Sequence, residues 1–374
     1  MLLHSIRSSD RAKRYSTIKY SLAIIETLYL LLLLFLFQGL GLSMALARHL
    51  LESSTPQFLV IPVYLLIIYI AYYLLNFPFN FYHSFLLERK FSLSEQKIKD
   101  WFLDQLKAGA ISYIILLILV MAFYYAQRHY LRNWWLSVSL FWIFLSLILA
   151  KLLPVVIVPL FFKYKKLRDE GLRERIMKLA KKMRIKILDV FEIDFSKKTL
   201  KANAAFLGWG STKRVILADT LKDKYNGEEL EVILAHEFAH YKLRHLLKLI
   251  LLNSAVTVAF FYTLFISNQR VLGMFGLYSL WDLAALPVVF IYLVIFGIIT
   301  QPLTNYISRI FERNADRLAL SQAGSKKAFI SAMDKLSHQN LSDRDPHPVI
   351  KFFFFDHPPI DERIRMANLH TPRP

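Results

Sequence analysis

No cysteine occurs among the 374 residues. Disulfides, thiolate metal ligands and cysteine nucleophiles are therefore excluded, and any metal site must be built from His, Asp and Glu. Acidic residues are also scarce. The 28 Asp and Glu stand against 47 Lys and Arg, a formal net charge of +19. Such a surplus first suggests nucleic acid, but 55% of the chain is hydrophobic, 15% is aromatic and mean hydropathy is positive. That composition is too apolar for a soluble globule and points to a polytopic membrane protein. Its cations then belong on cytoplasmic loops facing anionic lipid, so the expected partner is the bilayer and not nucleic acid. No repeat of solenoid length and no low-complexity linker is visible.

The first long apolar run, Tyr20 to Ala47, far exceeds a signal-peptide core and shows no small-residue cleavage site, so it reads as a retained membrane helix. Further spans are expected at about Phe58–Phe77, Ala108–Ala126, Trp134–Phe162, Leu246–Ile266 and Ala284–Leu303. Six spans with the N-terminus inside place the basic segments 1–19, 78–107, 163–245 and 304–374 on one side, the cytoplasmic one. Glu26 and Lys151 lie within spans; snorkelling accounts for Glu26, while Lys151 is a functional candidate or a snorkelling or cavity-facing lysine. The fold class is thus mainly α: a polytopic helix bundle with a small cytoplasmic α+β region. Four units follow: 1–162 with four spans, 163–245 as an α+β segment, 246–303 as a two-span hairpin, and 304–374 as a cytoplasmic tail. Within the second unit, KYKKLRDEGLRERIMKLAKKM reads as an exposed amphipathic helix and IKILDVFEI as a buried strand. Two β-like runs, about Leu200–Leu207 and Arg214–Ala218, are split by Gly208, Gly210 and Ser211, a hairpin pattern.

Asn226, with Glu229 three residues on, makes a capping-box pattern that opens a helix. That helix carries LAHEFAHYKLRH, Leu234 to His245, and is expected to continue straight into the fifth span. The motif H-E-x-x-H puts His236 and His240 on one helix face, where both can hold one metal, with Glu237 within reach of a water. A chance match on an amphipathic helix is the bland alternative. The topology supplies a third ligand. His240 lies about 9 Å along a helix from the fifth span, and Glu312 lies about 14 Å beyond the end of the sixth. Because the two spans form an antiparallel hairpin, those ends are neighbours, giving His236, His240 and Glu312 for one Zn2+ per chain. Asp316, one turn on, is placed to accept the far N–H of a ligand histidine. Alternatively, Glu312 and Asp316 pair with Arg313 and Arg317 on a solvated face. His245 is five residues after His240 with Leu243 between, so the metzincin pattern fails. On a continuous helix it points away from the metal face and reads as structural or as a polar contact at the membrane edge.

These stretches together resemble a known family. HEFAHYKLRH, then FERNAD, then HPPIDER are similar to the integral-membrane zinc endopeptidases of the type I CAAX prenyl protease family. FYHSFLLERKFSLS and NAAFLGWGSTKRVILADTL resemble the family's early cytoplasmic loop and its hairpin ahead of the zinc helix. The resemblance implies zinc ligands at His236, His240 and Glu312, with Glu237 as the catalytic carboxylate. It puts Asn203 and Ala204 beside the bound peptide and makes His357 and Arg363 face the scissile carbonyl. It also implies spans enclosing a water-filled chamber, and removal of the last three residues from isoprenylated C-termini. The eukaryotic members carry a further N-terminal span, which is not expected here, and an insertion before the zinc helix that is almost absent from this sequence. A bacterial or archaeal cell membrane is therefore expected, or the endoplasmic reticulum in a eukaryote.

On the physical side, Glu237 serves as the proton shuttle, and His357 and Arg363 beside Pro358 and Pro359 are the oxyanion donors. A C-terminal turn that merely packs is their alternative. The edge Asn203, Ala204, Ala205 and Phe206 is suited to pair with an extended peptide or lipidated protein substrate by strand addition. The expected protein is a monomeric membrane metalloendopeptidase. Competing readings are a heat-shock-type membrane quality-control protease with the same chemistry, and a non-catalytic channel or transporter.

Overall fold

The computed structural model describes residues 2–207, 213–323 and 325–370, with side chains from Asp10 onward. Among the described residues, six helices are long and apolar enough to cross a membrane. The chain opens with α1 (Leu2–Gly39) and α2 (Leu42–Glu52), so the single first span expected over Tyr20–Ala47 is broken. The cause is Gly41, which takes φ 70°, a left-handed conformation that glycine adopts without strain. The break turns α2 back into the bundle. There Ser43 bonds Tyr64 at 2.7 Å and the Ala284 carbonyl at 2.7 Å, both away from solvent.

Next come α3 (Val60–Phe81), α4 (Ile98–His129) and α5 (Trp134–Leu152). Pro78 lies inside α3, and the wider π turn Tyr82–Leu86 follows it. A proline cannot donate to the preceding turn, so Pro78 leaves the Leu74 carbonyl without its usual helical donor. Glu88 at the end of this helix binds Tyr15 of α1, and Lys201 meets Glu88 at 2.8 Å and the Tyr15 hydroxyl at 2.9 Å. One carboxylate therefore ties the first helix, the third and the segment before the hairpin together. Within the bundle Tyr64, Phe123, Val138, Phe261, Leu264 and Val288 are buried together. Leu28, Leu106, Leu251 and Ile299 point outward from their helices, as lipid-facing residues do.

The polar region starts with a correction. Tyr164–Lys166, expected as the start of a helix, forms strand β1. The helix α6 (Glu170–Lys182) begins only at Glu170, because Asp169 caps it by accepting from the Leu172 N–H at 2.9 Å. Strands β2 (Asp189–Ile193), β3 (Ala204–Leu207) and β4 (Arg214–Ala218) complete a sheet of order β1-β2-β4-β3. β3 and β4 pair antiparallel, whereas β2 and β4 run parallel. The expected hairpin turn at Gly208, Gly210 and Ser211 lies outside the described residues. Helix α7 (Gly227–Lys242) carries both halves of the expected capping box. The Asn226 side chain accepts from the Glu229 N–H at 2.9 Å, and the Glu229 carboxylate accepts from the Asn226 N–H at 2.8 Å. Leu234, Ala235 and Phe238 of α7 bury themselves against Ile176 and Met183 of α6 and Val190, Val215 and Leu217 of the sheet. Each large side chain so buried contributes roughly 1.5–3 kcal/mol.

Helix α7 does not continue into the fifth span. It ends at Lys242, Arg244 takes φ 55°, and a separate helix α8 (His245–Met274) begins. The sixth span, by contrast, is one long helix, α9 (Leu286–Ala323), running from the bundle into the polar region. Helices α10 (Lys326–Asn340), α11 (Pro348–Phe354) and α12 (Ile360–Leu369) close the chain. Phe329, Met333, Ile360 and Ala367 pack under Leu230 and Ile233 of α7.

Candidate active site

Because α7 and the polar half of α9 pack side by side, the histidines of one helix face the carboxylates of the other. His236 Nε2 lies 3.1 Å from Glu312 Oε2, and His240 Nε2 lies 3.2 Å from Glu312 Oε1. The two Nε2 atoms are 3.0 Å apart. His236, His240 and Glu312 are also the group whose ligand atoms all fall within 4.8 Å of one another. His236 and Glu312 are buried, while the His240 side chain is 27% exposed, so the cluster opens on the His240 side.

The donor set fits a metal. Asp316 Oδ1 accepts from His236 Nδ1 at 2.8 Å, which leaves Nε2 turned toward the cluster. Glu312 Oε2 is buried without a hydrogen bond. Electron-rich atoms this close need positive charge between them. Two nitrogens at 2.0–2.1 Å from one tetrahedral zinc would be about 3.3 Å apart, near the spacing found. Without a bound cation that charge is a proton. Burial opposes it, but the Asp316 and Glu312 carboxylates push His236 up to about 10. Glu237 is half-buried beside His236. Burial pushes its carboxyl above the ordinary glutamate value, against the pull of His236, His240 and His357.

Two C-terminal residues join the cluster. His357 sits half-exposed at its rim, with Nε2 3.4 Å from Glu312 Oε1 and Nδ1 2.7 Å from Asp356 Oδ1. Burial works against its charge, but Asp356 and Glu312 raise its pKa above the ordinary value. The segment carrying it is pinned to α9: Asn305 donates to the Phe353 carbonyl at 2.6 Å, and Arg309 to the carbonyls of Lys351, at 3.1 Å, and Phe355. Arg363 is buried and grips Asp316 with two nitrogens, Nε at 2.8 Å and Nη2 at 2.5 Å. The guanidinium is thus committed to the carboxylate behind His236, where the sequence reading had it facing substrate.

The edge expected to take a peptide is at β3, the outer strand of the sheet beside α7. Asn203 accepts from the Ala218 N–H at 3.0 Å, and Ala204 lies opposite Leu217. In an antiparallel ladder the bonding pairs alternate, so Ala205 also points its backbone at β4 while Ala204 and Phe206 point theirs to the free edge. Phe206 packs edge-on against Phe238 and Tyr241 of α7, which holds the strand against the motif helix.

His245, expected to point away from the metal face, instead meets the cluster. Its Nδ1 lies 3.1 Å from His240 Nδ1, and its ring stacks on Phe311 at 4.7 Å. The left-handed Arg244 turns α8 so that His245 faces back to the cluster. Nothing in an Arg at that position announces such a break, since arginine rarely adopts it.

A model of peptidase family M48 matches residues 166–370, and one described as "CAAX prenyl protease N-terminal, five membrane helices" matches residues 5–163. This chain belongs to peptidase family M48. It is an integral membrane metalloprotease, and His236, His240 and Glu312 form a group that could hold its metal. An uncharacterized metalloprotease of Bacillus subtilis, YhfN, is 31% identical over 282 residues, 74% of this chain and 66% of that protein. The CAAX prenyl protease 1 homolog of Arabidopsis thaliana is 30% identical over 305 residues, 78% of this chain and 70% of that protein. The chain therefore spans about two thirds of the length of these relatives. The fold is that of Ste24p from S. mikatae, whose crystal structure superposes with a TM-score of 0.83 at 23% identity, covering 96% of this chain and 88% of that one.

Proposed function

We propose that the chain is a zinc endopeptidase that cuts lipidated or otherwise membrane-associated peptides, in the manner of a CAAX protease, at the cytoplasmic face of its membrane. One observation carries the reading: α7 and α9 bring His236 Nε2, His240 Nε2 and the Glu312 carboxylate to one point beside Glu237. These three residues would hold one Zn2+ per chain. When bound, the ion supplies Lewis-acid polarisation of the scissile carbonyl and acidifies the attacking water. Glu237 takes the water's proton and delivers it to the leaving amine. His357, raised in pKa and exposed at the rim, donates to the oxyanion. Arg363 acts through Asp316, holding the His236 ring in place, instead of touching the carbonyl. The β3 edge takes the substrate as an added strand on the outward backbone groups of Ala204 and Phe206, flanked by Asn203 and Ala205.

The substrate class rests on the relatives named CAAX prenyl protease 1 and on a site next to the ends of two spans. A substrate can leave its lipid in the bilayer while its peptide reaches β3. The basic segments on one side of the bundle support a site facing the cytoplasm, in the membrane of a bacterial or archaeal cell or in the endoplasmic reticulum membrane of a eukaryote. The protein works as a monomer and does not need nucleic acid. Incubating the purified protein with zinc and matched prenylated and unprenylated peptides, with and without chelator, and locating the cuts by mass tests the proposal. Faster cutting of the prenylated peptide, abolished by chelator, supports it. Preferential digestion of misfolded membrane proteins supports the quality-control reading instead, and chelator-insensitive behaviour with no bound zinc overturns both.

A further inference from the structure

We infer that His245 is a positioning residue for the metal site, fixing the tautomer and ring angle of His240 as Asp316 does for His236. The inference rests on the metal reading of His236, His240 and Glu312. His240 turns Nε2 into the cluster, so it must carry its proton on Nδ1 to keep a lone pair for a cation. The atom facing that Nδ1 is Nδ1 of His245, at 3.1 Å. His240 then donates and His245 accepts, which places the proton of neutral His245 on its own Nε2.

Three features argue against a ring that merely fills space. His245 is 1% exposed and stacks on Phe311 with the planes 13° apart, a role that phenylalanine fills without polar atoms. Its Nε2 is buried with no hydrogen-bond partner among the described residues. A buried donor left unpaired is a net cost, so packing alone disfavours histidine here. The ring also reaches His240 only because Arg244 takes a left-handed conformation that L side chains resist. Two local costs converge on one contact, and that contact is to a metal-facing histidine. Each histidine of the motif thus has its own support from a different helix: Asp316 on α9 for His236, His245 on α8 for His240.

The test uses the full chain in detergent, with zinc affinity measured by competition against a chromophoric chelator and thermal unfolding measured without metal. His245→Phe keeps the stacking and removes the acceptor. His245→Asn keeps an acceptor oxygen near the place of Nδ1. The expected result is a loss of about 10–100-fold in zinc affinity for His245→Phe, affinity close to wild type for His245→Asn, and metal-free melting of His245→Phe at or above wild type. Wild-type affinity in His245→Phe overturns the inference, as does an equal loss in His245→Asn. If His245→Phe does not fold, His245→Leu gives the same comparison. If the wild type itself takes up no zinc, the ligand assignment fails, and this inference with it.

Discussion

His236 does different work at its two nitrogens. Nε2 faces the ligand cluster, while Nδ1 is held by Asp316, which is in turn gripped by Arg363. Removing Asp316 leaves a buried guanidinium and a loose ligand ring. Asp316→Ala should destabilise the fold by roughly 3–5 kcal/mol and weaken zinc binding about 10–100-fold. Thermal melting and chelator competition read the two effects separately. The same geometry sets a pH dependence. The folded pKa of His236 is raised to about 10 from its ordinary 6.5, so without metal the residue is protonated at neutral pH. A metal must displace that proton. Zinc affinity should therefore climb as pH rises from about 7 toward 10, with about one proton released per zinc bound at pH 7. Calorimetry in two buffers of different ionisation enthalpy counts it, and binding without proton release contradicts it.

At the scale of elements, β3 is where specificity is predicted to reside. Ala204 directs its N–H away from β4, so Ala204→Pro removes a donor from the free edge without removing a ladder bond. Peptide KM should rise several-fold while melting and zinc content stay near wild type. An unchanged KM would remove strand addition from the account. The elements also show what the sequence could tell. The motif, the capping box of Asn226 and Glu229, the return of Glu312 beside it and the partnership of Asp316 were legible because each follows from helical periodicity and the topology of neighbouring spans. The breaks at Gly41 and Arg244 were not, since apolar runs continue across or right up to them and tertiary contacts decide where they turn. Ser43 reaching Tyr64 and Ala284 accounts for the first. Strand β1 was hidden because Tyr164–Lys166 is polar enough to read as the start of a helix. Its strand state comes from pairing with β2, distant in sequence. The spacing that directed His245 away from the metal presupposed an unbroken helix, and one left-handed residue reversed it.

For the whole molecule, orientation is the claim most readily checked, and the lack of native cysteine makes single-cysteine labelling clean. Gln57, at the start of the second span, and Tyr278, between the fifth and sixth, lie on one side of the bundle, and Lys178 lies on α6 in the polar region on the other. Gln57→Cys and Tyr278→Cys should react with an impermeant maleimide added outside intact cells, while Lys178→Cys should react only after lysis. The reverse pattern would move the site to the outer face. The most direct test of the central claim is zinc content and peptide cleavage measured on the same preparations of the wild type, Glu237→Gln and Glu312→Gln. The account predicts one zinc per chain in the wild type and in Glu237→Gln, with cleavage lowered by about 10²–10⁴-fold in the latter, and loss of both zinc and cleavage in Glu312→Gln. Wild-type cleavage by Glu237→Gln, or full zinc retention in Glu312→Gln, would contradict it.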